Sequence, residues 1–244
     1  EKGTKKDFQY IQSFEPFTAE DKKATSILRF VKENPDAVSV DVQIMLLPDM
    51  APDMRQRAQT NITNRIQQKK GSLQSEPYQL TDGTSIIRAS MSPGELNEIA
   101  EDPRVYWVEK TVFFHGYQPS DVSPLTDGLK LDTNIDLTAL PAVVVLDDGV
   151  SLPAGLEDVV PIHWQASGCR KGDSFGEHGT PVASRVAFGY VGMHMADAFL
   201  TPRARIIDAQ IADASSVPED TMLKRVREAV ETFSDVAKVF NFSY

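Results

Sequence analysis

The sequence has little cysteine, no excess of basic charge and no long hydrophobic run. Its 244 residues include one cysteine, Cys169, so no disulfide can form within the chain. Lys and Arg number 25 against 35 Asp and Glu, and this net charge of −10 argues against a nucleic-acid partner and against binding to an anionic membrane. No apolar run approaches the roughly 20 residues that span a bilayer. These features are compatible with either a cytoplasmic or a secreted protein.

Metal and cofactor signals are also scarce. The three histidines His115, His163 and His194 do not combine with Cys169 in a metal-ligand spacing, and no EF-hand loop is present. The sequence therefore predicts no metal site and no organic cofactor. Cys169 stands in a polar loop and is expected to be an exposed thiol.

The composition, 41% hydrophobic and 25% charged, is typical of a soluble globular protein with a core of normal size. Residues 1–37 are polar and mixed, and helical spacing of apolar residues predicts one helix over Ala19–Asn34. We treat residues 1–37 as an N-terminal helical segment of unassigned role.

Residues 38–110 predict a small α+β domain. The predicted strands are Ala37–Leu47, Leu73–Leu80, Thr84–Ser90 and Arg104–Val108. The predicted helices are Ala51–Lys70, after the first strand, and Ser92–Glu101, after the third. Gly71 is a plausible helix stop, and Ser92 with Glu95 fits a capping box. The order β-α-β-β-α-β is that of the split βαβ, or ferredoxin-like, arrangement.

Residues 111–140 show no clear period and predict a linker, and the pattern then changes to that of an α/β domain over 141–244. Continuous apolar runs predict buried parallel strands. The predicted elements are strands at Ala142–Leu146, Arg205–Ile211 and Val236–Ser243, and helices at Val182–Tyr190 and Glu219–Phe233. Strands that alternate with helices indicate a parallel sheet covered by helices.

Two segments of this second region carry candidate chemistry. Residues 143–150 read VVVLDDGV, which places Asp147 at the carboxyl end of a buried strand, where α/β sheets place their sites. Residues 176–184 read GEHGTPVAS, which places His178 at a glycine-rich turn that opens a helix. Each segment alone is typical of an ordinary turn or helix start, so only their combination points to a function.

Together the two segments resemble the subtilisin-like serine proteases, the subtilases. The first resembles that family's apolar strand followed by the catalytic Asp, and the second resembles its His-Gly-Thr-x-Val-Ala helix start. Further along, 202–206 (PRARI) resembles the approach to the next core strand, and 239–244 (VFNFSY) resembles the strand that pairs with substrate. The resemblance covers about residues 141–244.

The preceding domain is similar to a subtilase propeptide, a small chaperone and inhibitor domain. The similarity rests on its β-α-β-β-α-β order and on residues 102–105 (DPRV), which lead into Val108 and Glu109. The resemblance as a whole implies a partial subtilisin-like α/β catalytic domain preceded by a ferredoxin-like propeptide-type domain.

The resemblance also implies residue roles for peptide-bond hydrolysis by an Asp-His-Ser triad. Asp147 is expected to orient His178, and His178 to act as general base and then general acid. Ser243 and Tyr244 are expected to lie on the substrate-binding strand, which would extend the sheet onto a peptide or protein substrate. The nucleophile is expected to be a serine further along, in the C-terminal remainder of the catalytic domain, so these 244 residues alone are expected to be inactive.

Several positions depart from the family pattern. Asp148 replaces the usual Ser or Thr, Glu177 replaces a Gly, and Pro181 and Ser184 replace the usual His and Gly. Of the two adjacent acids, we favour Asp147 as the partner of His178, because it directly ends the apolar run and alternate strand residues face opposite ways.

These departures keep two alternatives open. In one, the protein is a subtilase-like pseudoenzyme or binding module that engages a partner through its N-terminal domain. In the other, the propeptide-like domain makes the chain an inhibitor of a matching catalytic half.

Overall fold

The computed structural model describes residues 17–114, 129–132, 134–171, 175–189, 199–213 and 216–243. Its contacts divide the chain into two compact units, Glu1–Thr111 and Val112–Tyr244. Within the described ranges, no helix combines the length and apolar character needed to cross a membrane.

The first unit is built on an antiparallel sheet. Its helices are α1 (Thr25–Glu33), α2 (Pro52–Gln68) and α3 (Leu96–Ala100), and its strands are β1 (Val40–Leu46), β2 (Ser72–Leu73), β3 (Tyr78–Gln79), β4 (Ser85–Met91) and β5 (Val105–Lys110). The strand order is β2-β4-β1-β5, with β3 also paired to β4. Residues of one parity on β1, including Val42 and Ile44, pack with Ile62 and Ile66 of α2 in a single core.

The helix α1 belongs to this core, because Ile27 is buried in the same cluster. The segment before it is anchored by Lys22, whose Nζ donates to the carbonyls of Ala100 and Asp102 at 2.8 and 2.9 Å. The separation of residues 1–37 from 38–110 that the sequence suggested is therefore not visible in the packing of α1.

Local details of the first unit differ from the sequence expectations. The predicted strand Leu73–Leu80 is split into β2 and β3, with Pro77 between them, because proline cannot donate to a strand ladder. The predicted capping box is not formed: α3 begins after Glu95, and the Ser92 hydroxyl donates to the Glu95 carboxylate at 2.9 Å instead of accepting a backbone N–H.

The second unit is built on a parallel sheet of four strands in the order β13-β8-β11-β9. These strands are β8 (Ala142–Asp147), β9 (Ile162–Gln165), β11 (Arg205–Gln210) and β13 (Val239–Phe242). The helices are α4 (Gly179–Phe188) and α5 (Glu219–Phe233), with short 3₁₀ turns at Leu137–Ala139 and Glu157–Val159. Four two-residue strands complete the unit: β6 (Phe113–Phe114), β7 (Lys130–Leu131), β10 (Phe199–Leu200) and β12 (Val217–Pro218).

Both faces of this sheet are buried, as the apolar run of β8 predicts. Val144 and Leu146 point to one face and pack in a cluster with Phe233 of α5. Val145 points to the other face and packs in a second cluster with Ala183 of α4. Because alternate residues of a strand point to the same face, the side chain of Asp147 lies with that of Val145 on the α4 side of the sheet.

The region 111–140, predicted as a linker, lies partly outside the described residues. Its described parts include β6, which pairs with β12, and β7, which pairs with β10. These stretches are thus tied into the second unit by short ladders.

The prediction of an exposed Cys169 is wrong. The side chain packs in the α5-side core, and Sγ donates a weak hydrogen bond to the Ala212 carbonyl at 3.3 Å. Burial, the largest influence, raises the pKa of the thiol. The polar loop around it gave no sign of this contact, which joins residues 43 positions apart.

Candidate active site

Asp147 is the last residue of β8, a strand flanked on both sides by parallel neighbours. Its backbone carbonyl accepts hydrogen bonds from the N–H groups of Ile211 and Ala212 at 2.9 and 3.2 Å, which fix the strand end against the segment after β11. The side chain is fully buried. A buried carboxylate must be hydrogen-bonded to offset its loss of hydration, so its partners define the site.

The ring of His178 supplies that partner. Its Nδ1 lies 2.9 Å from both Asp147 carboxylate oxygens, although the two residues are 31 positions apart in the chain. His178 immediately precedes α4, and its side chain is 20% exposed. Because a carboxylate only accepts, Nδ1 carries the proton and the pair leaves Nε2 as the basic nitrogen of the neutral ring.

Asp148 has a different task. Its Oδ2 accepts the backbone N–H of His178 at 3.1 Å, and its Oδ1 accepts that of Gly179 at 2.7 Å. A carboxylate here satisfies N–H groups that the first turn of α4 leaves without intrahelical partners, and it complements the positive end of the helix dipole. The two adjacent acids therefore have different roles: Asp147 binds the imidazole of His178, and Asp148 binds the backbone N–H groups of His178 and Gly179.

Glycines let the strand end and the helix start approach this closely. A Cβ on Gly179 would lie 2.1 Å from the Gly149 carbonyl oxygen and 3.0 Å from the Asp147 Cβ. Gly149 has a φ of +112°, and a Cβ there would lie 2.1 Å from the Phe175 ring. The glycines at these two positions thus have a packing reason, independent of any family pattern.

The electrostatics of the pair are set mainly by burial. Loss of hydration raises the pKa of Asp147 to about 6, against the opposing hydrogen bonds from His178 and from the Asp148 N–H. The neighbouring charge of Asp148 raises the pKa further, since two like charges disfavour ionisation. A carboxylate and an imidazole held in this way can stabilise a proton that arrives at Nε2.

Of the predicted substrate-binding residues, Ser243 is described and Tyr244 lies outside the described residues. Ser243 follows β13, in which Phe242 is the register partner of Leu146, so Ser243 comes at the level of Asp147 on the same edge of the sheet. Its hydroxyl donates to the Asn241 side chain at 2.6 Å.

The second unit contains another acid–histidine pair, which the sequence analysis missed. His163 of β9 and Asp208 of β11 are register partners, and Nδ1 lies 2.8 Å from Oδ2. The one available signal was Asp208 itself, an acid inside a buried apolar run, because such an acid requires a partner. Its partner was not visible, since β9 is only four residues long.

Among the described residues, no group of three or more His, Cys, Asp or Glu side chains is arranged to hold a metal ion. A scan against protein-family models found no match to the chain. A search of curated proteins found no matching protein either. The chemistry of the site therefore rests on its geometry and on the sequence motifs.

Proposed function

We propose that the chain is part of a serine endopeptidase of the subtilisin type, in which Asp147 and His178 form the acid–base pair. The observation that carries the proposal is the bond between His178 Nδ1 and the buried Asp147 carboxylate, at the carboxyl end of a central parallel strand. The chain order of Asp before His, and the motifs around both, support the same assignment.

In the proposed reaction, the hydroxyl of a serine attacks the carbonyl carbon of the scissile peptide bond. His178 takes the hydroxyl proton at Nε2, and Asp147 stabilises the resulting imidazolium through Nδ1–H. The proton then passes to the leaving amine as the C–N bond breaks, and water hydrolyses the acyl-enzyme by the reverse use of the same base. The proposal assigns the nucleophile to a serine in the C-terminal remainder of the catalytic domain, as the family's order of residues implies.

The strand β13 supports a role in substrate binding. It lies next to β8, and its carboxyl end is level with Asp147. A substrate peptide that pairs as an added strand with the chain at this end of β13 would therefore pass the acid–base pair. This placement is why we assign Ser243 to substrate recognition, and the assignment of Tyr244, which lies outside the described residues, rests on the family resemblance.

The test is hydrolysis of a fluorogenic peptide library. The enzyme is the protein expressed at full length, from which the propeptide-like region is then removed. We expect His178→Ala to lower kcat by about 10⁴- to 10⁶-fold, since the general base is lost. Glu177→Ala is the matched control, because this neighbouring side chain is exposed. We expect it to change kcat by less than about threefold, as for a surface substitution outside the reacting groups.

If the folded full-length protein and its His178→Ala variant both fail to cleave any peptide, the endopeptidase proposal is wrong. The binding-module alternative would then be favoured. A large loss in Glu177→Ala would also count against the proposal, because it would show that the effect is not specific to the imidazole.

A further inference from the structure

Asp148 is hydrogen-bonded to both members of the proposed acid–base pair. Its backbone N–H donates to Oδ1 of Asp147 at 2.8 Å, and its carboxylate accepts the backbone N–H of His178 at 3.1 Å. The ring of His178 meets the Asp147 carboxylate at 2.9 Å. These contacts form a closed cycle that runs from Asp147 through the ring and backbone of His178 to Asp148 and back. A shift of one of the three residues therefore disturbs the contacts of the other two.

The cycle holds the backbone of His178 at the point where α4 begins. The first N–H groups of a helix have no intrahelical acceptor, and Asp148 supplies one for His178 and, at 2.7 Å, one for Gly179. A second tie joins the same two segments, from the Ser151 N–H to the Thr180 hydroxyl at 2.8 Å, and it does not involve His178. Loss of the Asp148 carboxylate would therefore release the backbone of His178 while α4 keeps a contact with the segment after β8.

Asp148 also places a second negative charge beside the pair. The residue is half-buried, so its charge is screened less than that of an exposed side chain. Burial is the main cause that raises the pKa of Asp147 and of Asp208, and the charge of Asp148 raises both further. A negative charge next to an Asp–His pair favours the form of the pair that carries an additional proton.

Other charged groups lie on the elements around the pair. They are Asp208 of β11 with its partner His163 of β9, Glu177 next to His178, and Lys171, whose Nζ lies 4.0 Å from the centroid of the Phe175 ring. Substitution of Asp148 leaves these charges in place, so its effect on the pair can be measured against a constant background.

We infer that Asp148 is a positioning residue: it holds the His178 ring against Asp147 through the backbone, and its charge sets the lower pH limit of the pair. The pair can take the serine proton only when Asp147 is ionised and His178 is neutral. Because the charge of Asp148 favours the protonated pair, it moves this limit to higher pH. The inference rests on the proposed function for its effect on catalysis, but the titration of the pair can be measured without turnover.

The first experiment follows the titration of the pair in the 244-residue chain by NMR, through the imidazole signals of His178. Because the two groups are coupled, the midpoint belongs to the pair and not to either residue. We expect Asp148→Asn to lower this midpoint by about 0.5 to 1 pH unit, the scale of one partly screened charge several ångströms away.

The matched control is Asp235→Asn. It removes the same charge from an exposed residue between α5 and β13, at the amino end of that strand and therefore at the opposite end of the sheet from Asp147. We expect it to change the midpoint by less than about 0.2 pH unit, since salt screens exposed charges over such distances. An unchanged midpoint in Asp148→Asn, or an equal change in Asp235→Asn, would overturn the inference.

The positioning role is tested by two substitutions of Asp148 in the full-length protein. Alanine removes both accepting oxygens, whereas asparagine removes the charge but keeps one acceptor. We expect Asp148→Ala to lower kcat by about 10- to 100-fold, because a displaced base reacts poorly, and to change KM by less than about threefold. Asp148→Asn should restore kcat to within about fivefold of the wild type. Equal losses of kcat in the two variants, or a loss confined to KM, would reject the positioning role.

The acidic limb of the pH profile connects the titration with catalysis. We expect kcat/KM of Asp148→Asn to fall at a lower pH than that of the wild type, by the same amount as the NMR midpoint. Cleavage with the same acidic limb in both proteins would reject the inference and leave the endopeptidase intact. A lower midpoint without cleavage by either protein would retain the action of Asp148 on the pair and reject the endopeptidase.

Discussion

The two acid–histidine pairs described in the second unit have the same type of contact, between imidazole Nδ1 and an aspartate, but they differ in burial and in how many carboxylate oxygens the ring meets. In both, Nδ1 of an imidazole meets an aspartate at 2.8–2.9 Å. His178 touches both oxygens of Asp147 and is mostly buried, whereas His163 touches one oxygen of Asp208 and is mostly exposed.

The supports of the two pairs differ as well. His178 stands at the start of α4 with its backbone N–H bound by Asp148, whereas His163 lies within the short strand β9. An Asp–His contact therefore does not by itself indicate an acid–base pair. The difference lies in burial and in the contact itself: the His178 ring is mostly buried and faces both oxygens of its aspartate, whereas the His163 ring is mostly exposed and faces one.

The largest expected contrast is between the two aspartates. Asp147→Asn should lower kcat by about 10⁴-fold, because the amide no longer enforces the correct tautomer of His178 or stabilises its imidazolium. Asp208→Asn should lower kcat by less than about threefold, because Asp208 and His163 are not part of the proposed acid–base pair. Both are measured on the full-length protein; equal losses would show that the two pairs are not distinguished as we infer.

The next contrast concerns the close approach of β8 and α4. Gly179→Ala places a methyl group against the Gly149 carbonyl, so we expect the free energy of unfolding to fall by about 2–3 kcal/mol. Urea unfolding followed by circular dichroism measures this change. Gly94→Ala is the control, because a Cβ there meets nothing within 4 Å, and it should change stability by less than about 0.5 kcal/mol. A neutral Gly179→Ala would contradict the packing described.

A third expected effect is a pH dependence of stability that arises from Asp147. Its pKa is raised to about 6 from the usual 3.8, so protonation is favoured by folding. The stabilisation is complete below pH 4 and is lost as pH rises through 6. Relative to Asp147→Asn, the wild-type protein should therefore become less stable over this window, which urea unfolding at several pH values measures.

Asp148→Asn provides a control for that titration. The charge of Asp148 helps to raise the pKa of Asp147, so its removal should lower that pKa, observable in the side-chain carboxyl signal by NMR. An unchanged or higher pKa would show that the two acids are not coupled by charge.

Much of the fold around the site could be predicted from local patterns. The run that ends at Asp147 indicated a buried strand, and the amphipathic spacing of Glu219–Phe233 indicated α5, whose observed bounds are the same. Both elements carry strong periodic signals over their full length, which is where sequence patterns are most informative.

The rest depended on contacts that no local pattern shows. His163 meets Asp208 across 45 positions because β9 and β11 adopt one particular parallel register. The contacts of Asp147 with the His178 ring and of Asp148 with the start of α4 likewise depend on where α4 begins relative to β8. The sequence favoured Asp147 as the partner of His178 because it directly ends the apolar run and because alternate strand residues face opposite ways. It gave no indication that Asp148 binds the backbone N–H groups at the start of α4.

The buried thiol of Cys169 gives this protein a built-in reporter. The first unit contains no cysteine, and the one in the second unit lies against Ala212, inside the core. A thiol reagent can therefore reach it only when that core opens. The rate of labelling under native conditions, relative to that of the unfolded chain, would give the opening free energy of the second unit alone. Ligands and substitutions could then be ranked by how far they slow this reaction, even in a chain that shows no turnover.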